Sequence, residues 1–231
     1  MLLAWALAAF AAALAACGDR QAEDASAAVA RAGLDTEGST PSGQEGVLGT
    51  LQASLDGQER AWYIVRGEGG TGPYSSGMWM EGSDDEVIVS LSGLDSDSPP
   101  IHTFETDLEA GEMSLGEYRG SSFSLTVPVP AAGGSRRFTF PADEHSGASI
   151  VYTPDAGAIA EGIDMTNLFL LVEGEIQITA SERTGESISI RGTFSGTLES
   201  MRGGRRIEAA EGRFAAETVP SLQSIQAKRS R

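Results

Sequence analysis

The sequence predicts an all-β protein, with a single antiparallel β-sandwich or barrel-like domain over residues 47–220. From Val47 onward, apolar and polar residues alternate in short runs closed by Gly, Pro, Asp or Ser, which is typical of strands and turns. Helical periodicity is absent from this region except for a short turn predicted over residues 159–165. About ten strands in one domain of this size are typical of β-sandwiches.

The first half of the domain is predicted to form several short strands. Asp56 and Gly57 separate the first two runs, and Asp-Gly between alternating segments is a strong hairpin signal. Further runs of the same kind follow at regular intervals. The predicted strands up to the last hairpin cover residues 47–55, 61–65, 78–81, 87–91, 122–129, 137–140, 149–153 and 168–172.

The clearest hairpin lies at residues 175–198, with a turn at Thr184 and Gly185. Before the turn, Ile176, Ile178 and Ala180 alternate with polar residues. After it, one face is predicted to carry Ile188, Ile190, Gly192, Phe194, Gly196 and Leu198, with polar residues on the other. A last strand, residues 206–217, follows the turn at Gly203 and Gly204, and Gly212 in it is predicted to mark a bulge.

Residues 1–16, MLLAWALAAFAAALAA, carry no charged side chain. The run is as long as the apolar part of a signal peptide and too short to span a membrane. It ends in Leu14, Ala15, Ala16 and Cys17, the only cysteine of the chain. These four positions resemble the lipobox of bacterial lipoproteins, which implies acylation of Cys17, for example with palmitate. The absence of Lys or Arg before the run departs from the usual signal peptide, and a start codon upstream of Met1 would explain it.

Residues 17–46 are rich in Ala, Gly, Ser and acidic residues. This composition cannot bury enough surface to offset its ordering entropy, so it predicts a flexible linker after the lipidated Cys17. A flexible coil of about 29 residues spans on the order of 30 Å. Gly18 after the cysteine resembles the pattern that favours delivery to the outer membrane, facing the periplasm or the cell surface. Residues 221–231 are predicted to be a flexible basic tail.

The chain has 33 acidic and 16 basic residues and a formal net charge of −17. Residues 17–200 hold 30 acidic and 9 basic residues, whereas residues 201–231 hold 3 acidic and 7 basic residues. An acidic body repels phosphates, which excludes nucleic acid as a partner and disfavours polyanion grooves outside the C-terminal stretch. The expected partners are the membrane, through Cys17, and an envelope protein or glycan.

The two ends of the domain carry motifs in common with a family. Ala53-Ser54-Leu55-Asp56-Gly57 lies close to Trp62, and the run from Ile188 to Leu198 is followed by Gly212-Arg213-Phe214. The domain resembles those of uncharacterised bacterial envelope lipoproteins with an A-x-L-D-G hairpin and an I-x-I-x-G-T-F-x-G-x-L strand. That resemblance implies a fold and a location, but no catalytic residues.

No pattern in the sequence points strongly to catalysis. Residues 67–72 fit G-x-G-x-x-G but precede Pro73 and Tyr74 rather than a helix, which favours a flexible loop over a dinucleotide site. The two histidines, His102 and His145, lack the context of a metal site or a serine triad. We therefore expect a non-enzymatic module, with no catalytic, cofactor-binding or metal-binding residues assigned.

Three alternatives remain open at the level of sequence. Loop carboxylates around Asp84, Asp95 or Asp143 could meet as the acid pair of a hydrolase. The acidic loops at residues 84–86 and 95–98 could bind calcium in an adhesion module, although solvated turns account for the same residues. Trp62, Trp79 and the tyrosines could form a sugar-binding platform, but Trp62 has the pattern of a core residue, and Trp79, between Met78 and Met80, favours a core or partner surface.

Overall fold

A computed structural model describes much of the region in which strands were predicted. The described residues are 46–69, 72–82, 85–95, 106–107, 112–113, 120–141, 146–156 and 165–221. The leader, Cys17 and the linker up to residue 45 lie outside them, as do residues 222–231. Of the helical turn predicted over residues 159–165, only Met165 is described, at the start of a one-turn 3-10 helix, Met165–Asn167.

The structure confirms the all-β prediction. Two predicted strands, β1 and β10, have the bounds expected from the alternation pattern, and most of the others extend a few residues further. The thirteen strands are β1 Val47–Leu55, β2 Gln58–Gly69, β3 Gly72–Ser75, β4 Gly77–Glu81, β5 Glu86–Leu94, β6 Thr106–Asp107, β7 Glu112–Met113, β8 Ser122–Pro130, β9 Arg136–Phe140, β10 Ser149–Thr153, β11 Phe169–Thr184, β12 Ser187–Ser200 and β13 Arg206–Pro220.

Eleven of these strands form one sheet, and β6 and β7 pair separately. The sheet runs β12-β11-β10-β8-β5-β4-β13, and pairing of β13 with β12 closes it into a ring. The sheet is antiparallel except where β13 meets β4 in parallel, through Val219 and Pro220. Strands β1 and β2 bridge β13 and β5 along a second route. The fold is therefore a closed, barrel-like sheet.

One continuous apolar core fills the closed sheet. Its centre is aromatic: the ring centroid of Phe123 lies 4.7 Å from that of Trp62 and 5.0 Å from that of Phe194. Large side chains from both halves of the chain meet there without exposed surface, which is where most of the hydrophobic stabilisation arises. The largest of them are Trp62, Trp79, Phe123, Phe169, Leu51, Ile64, Leu91, Leu125, Ile150, Ile176, Ile178 and Leu198.

Strand β11 differs from its prediction in two ways. The predicted strands at 168–172 and from 175 are one strand, which continues through Gly174 at φ 127°. A register shift between Ile178 and Ala180 places Ala180 opposite the exposed Arg191. The alternation predicted for Ile176, Ile178 and Ala180 therefore breaks at Ala180, and Ser181, only 8% exposed, is buried in its place.

The predicted tight turns are present. Asp56 and Gly57 have φ values of 48° and 78°, as a two-residue hairpin turn requires. The second hairpin turns at Gly185 and Glu186, one residue later than predicted, because Thr184 still pairs with Ser187.

The predicted faces of β12 are confirmed, because the side chains of the inner face are in the core and the alternate residues are more exposed. Ile188, Ile190, Gly192, Phe194 and Leu198 are buried and Gly196 is half-buried. The glycines of β12 pair with aromatic residues of β13 in a reciprocal way. Phe194 lies opposite Gly212 and Gly192 lies opposite Phe214. A Cβ on Gly212 would lie 2.5 Å from the nearest atom of the Phe194 ring, and a Cβ on Gly192 would lie 2.5 Å from the nearest atom of the Phe214 ring. Each ring therefore covers the bare backbone of the opposite glycine, and the G-T-F and G-R-F motifs form one packing unit.

The bulge predicted at Gly212 lies beside it. Ser195 of β12 faces two residues of β13, Ala210 and Glu211, since Phe194 pairs with Gly212 and Gly196 with Ala209. Glu211 takes up the positive φ of 51°, which bends β13 at this point.

Candidate functional site

Both tryptophans of the described domain lie in its interior, with no exposed surface. The Arg183 guanidinium carbon lies 4.5 Å from the centre of the Trp79 ring, and the ring N–H donates to the Glu186 carbonyl at 2.9 Å. The core position predicted for Trp62 is confirmed. Neither indole presents an open face to a sugar, so these two residues do not form a stacking platform.

Asp95, a candidate for calcium binding or hydrolytic chemistry, follows β5 directly and holds the residue that precedes β8. Its carboxylate accepts hydrogen bonds from the N–H and the hydroxyl of Ser121, at 2.7 and 2.8 Å. The Ser121 hydroxyl accepts the ring N–H of Trp62 at 2.9 Å. Asp95 therefore ties the ends of two neighbouring strands together and, through Ser121, orients a core indole.

Tyr152 lies against this group, which we call the polar cluster (Trp62, Asp95, Ser121 and Tyr152). Burial raises the pKa of the Tyr152 phenol above its ordinary value of 10.0; Arg60 opposes the rise and Asp95 adds to it. A hydrogen bond with Ser121 also favours the ionised form. The phenol is therefore neutral near pH 7 and is a poor general base there.

We expect the free energy of unfolding to fall as the pH rises above 10.0, because the folded state holds the Tyr152 proton more tightly than the unfolded state does. The contribution is fully present below that pH and is lost as the pH rises through the folded-state pKa. Urea denaturation from about pH 8 to about pH 11.5 measures it. Tyr152→Phe should reduce this alkaline slope, and an equal slope in variant and wild type would contradict the assignment.

Two other described acids near the predicted loops also contact nearby groups. The Asp56 carboxylate accepts the Glu208 N–H at 2.9 Å. Glu86 forms an ion pair with Arg136. Of the three carboxylates proposed for a hydrolase, only Asp95 is placed. The remaining candidates lie outside the described residues: Asp84, Asp97, Asp143, His102 and His145.

The described residues of the glycine motif at residues 67–72 belong to two paired antiparallel strands. Gly67 and Gly69, at the end of β2, pair with Tyr74 and Gly72 of β3. A strand follows the glycines, so no helix N-terminus stands behind them to hold a pyrophosphate. The dinucleotide alternative is excluded, and the flexible loop predicted for this motif is wrong for the paired residues.

Within the described ranges, no group of three or more His, Cys, Asp or Glu side chains is placed to hold a metal ion. That part of the chain also contains no helix with the length and apolar character needed to cross a membrane.

The sequence was compared with known families, curated proteins and solved structures. No family model matches it. Neither the curated proteins nor the solved structures include a match. Function is therefore inferred from the residues of this chain.

Sequence reasoning missed two members of the polar cluster, Ser121 and Tyr152. Ser121 lies 26 residues from Asp95 and 59 residues from Trp62. No local motif links these positions, because the register of β2, β5, β8 and β10 in the closed sheet brings them together. Knowledge of that register is the only signal that could have found them.

Proposed function

We propose that the protein is a lipid-anchored lipoprotein of the bacterial cell envelope, and that its β-domain is a non-enzymatic binding or structural module. The observation that carries the proposal is Leu14-Ala15-Ala16-Cys17 at the end of an uncharged apolar leader. Acyl chains contribute about 0.8 kcal/mol per buried methylene, and stable anchoring requires more than one chain or a second signal. A multiply acylated Cys17 meets that requirement.

The roles of the candidate side chains support a non-enzymatic module. The Asp95 carboxylate holds Ser121, and Glu86 pairs with Arg136. Trp62 and Trp79 fill the core. In the part of the chain that the structure describes, the candidate acids and aromatic residues therefore serve the fold.

The start of the sheet is compatible with a tether. The Gly46 carbonyl accepts the Arg66 N–H, at an N···O distance of 2.6 Å, directly before β1 begins. Gly46 is the last residue of the linker predicted over residues 17–46, and the rest of that linker precedes this contact. The proposed anchor therefore joins the domain at the end of the sheet where β1 starts.

Metabolic labelling with radioactive palmitate tests the proposal. We expect label in the wild-type chain and recovery with the membrane fraction. Cys17→Ala should abolish the label and release the protein from membranes, because acylation forms a bond to the cysteine. Ser26→Ala, a substitution of similar size in the linker, is the matched control. It should keep both the label and the association with membranes. Equal label in wild type and Cys17→Ala would overturn the proposal.

A further inference from the structure

The connection between β12 and β13 carries three arginines in an acidic protein. We call residues 200–206 the arginine turn; Arg202, Arg205 and Arg206 in it are exposed. Gly203 and Gly204 have φ values of 134° and 64°, which allow the chain to reverse. These are the residues at which the basic C-terminal part of the sequence begins.

Ser200 holds the arginine turn in one shape. Its N–H donates to the Arg205 carbonyl at 2.9 Å, and its hydroxyl lies 3.0 Å from the Arg202 carbonyl and 2.9 Å from the Thr166 carbonyl. The Met201 N–H donates to the Leu168 carbonyl at 2.9 Å. The arginines are therefore displayed on a fixed backbone, which lowers the entropy lost when a ligand binds.

The three guanidinium groups differ in what they contact. Arg206 pairs with Glu199 at 2.7 Å. Arg205 lies over the Phe169 ring, 5.1 Å from its centre, a contact that leaves the in-plane N–H donors available. Arg202 has no side-chain partner among the described residues. The guanidinium groups of at least Arg202 and Arg205 can thus donate hydrogen bonds to a carboxylate or phosphate.

The arginine turn lies at the end of the sheet opposite the linker. Leu55 pairs with Ala209, so the turn before β13 neighbours the Asp56 hairpin. Gly46 precedes the other end of β1, and a nine-residue strand spans about 30 Å. The turn therefore points away from the place where the linker joins the domain.

The charges around the arginine turn favour a narrow acidic chain over a broad anionic surface as its ligand. The same end of the sheet carries the carboxylates of Asp56, Glu173 and Glu208. A planar anionic bilayer must approach all of them and is repelled, whereas a single chain can contact the arginine turn alone. Regularly spaced acidic groups along such a chain can accept hydrogen bonds from neighbouring guanidinium groups.

We propose that the arginine turn is a docking site for a linear acidic polysaccharide. Its carboxylate or phosphate groups accept hydrogen bonds from Arg202 and Arg205, and Arg206, paired with Glu199, adds to the local positive charge. The proposal relies on the proposed function only for the envelope setting, since the turn is present whether or not Cys17 is acylated.

The test measures binding of the full chain carrying Cys17→Ala to immobilised polygalacturonate at low salt. Use of this variant separates the result from that of the palmitate experiment. We expect affinity that falls as salt is added, no binding to neutral dextran, and weaker binding to phosphatidylglycerol vesicles. Arg202→Glu with Arg205→Glu should weaken polygalacturonate binding about tenfold or more.

The matched control is Arg191→Glu with Arg213→Glu. Both arginines are exposed on the outer face of β12 and β13, and the net charge changes by the same amount. The control should weaken binding by no more than about threefold, through its long-range charge alone. Arg202→Glu alone, which breaks no contact among the described residues, should weaken it about threefold even if the double variant is destabilised.

Three results would overturn the proposal. They are an absence of wild-type binding to polygalacturonate, equal losses in the two double variants, and vesicle binding as tight as polysaccharide binding. The last result would assign the turn to a lipid surface instead.

Discussion

Gly192→Ala is expected to destabilise the domain by about 3 kcal/mol, the upper end of the usual range for overpacking in a closed interior. The new methyl group would collide with the Gln177 carbonyl oxygen of β11 and lie 2.5 Å from the nearest atom of the Phe214 ring. A backbone carbonyl in a central strand cannot move aside as a flexible side chain can. Urea denaturation followed by far-UV circular dichroism measures the loss.

The matched control for that substitution is Gly185→Ala in the turn of the same hairpin. A Cβ there meets nothing within 4 Å, and the φ of 62° is the only source of strain. Its expected cost is about 1 kcal/mol, the penalty of a left-handed residue. Equal losses in the two variants would show that β11, β12 and β13 do not approach as closely as the structure has them.

Trp62→Ala is expected to cost about 4 kcal/mol, within the range for a large aromatic side chain removed from a core. Trp62 has no exposed surface, packs 4.7 Å from Phe123 and donates to Ser121. Since domains of this kind are stable by roughly 5–15 kcal/mol, the variant should be largely unfolded in mild denaturant. Denaturation followed by far-UV circular dichroism avoids the loss of the indole signal.

Ser121→Ala separates the packing of Trp62 from its hydrogen bond. The serine variant keeps the indole but removes the acceptor of its N–H and one donor to Asp95. A loss of about 1–2 kcal/mol is expected, which is less than that of Trp62→Ala. If the two variants lose equal stability, Trp62 acts through the polar cluster rather than through its packing.

The alternation pattern predicted the fold class and most strands because each buried face leaves a period of two in the sequence. This is why alternate residues from Ile188 to Leu198 lie on the inner face as expected. The pattern failed at Ala180, because a bulge in the middle of β11 reverses the two faces of the strand. No characteristic residue type in the sequence marks that bulge. The pattern also divided β11 at Gly174, because a glycine and two glutamates there have the composition of a turn.

The sequence was less informative about the candidate site. The run from Ala61 to Val65 correctly predicted a core indole at Trp62, since every residue in it is apolar. It could not show that Asp95 holds Ser121, because that contact depends on the register of β5 and β8. The solvated turn expected at Asp95 is instead a structural anchor. The lipobox-like pattern at Cys17, by contrast, is entirely local in the sequence, and Cys17 lies outside the described residues.

Closure of the sheet depends on its last strand. Strand β13 pairs with β1, β4 and β12. The edges of these three strands that face β13 therefore stay unpaired until residues 206–220 have been synthesised. Pairing over such sequence separations is slow, on the order of milliseconds to seconds for β-rich domains. A chain that becomes available from its amino terminus first therefore completes this sheet only after residues 206–220 are free to pair.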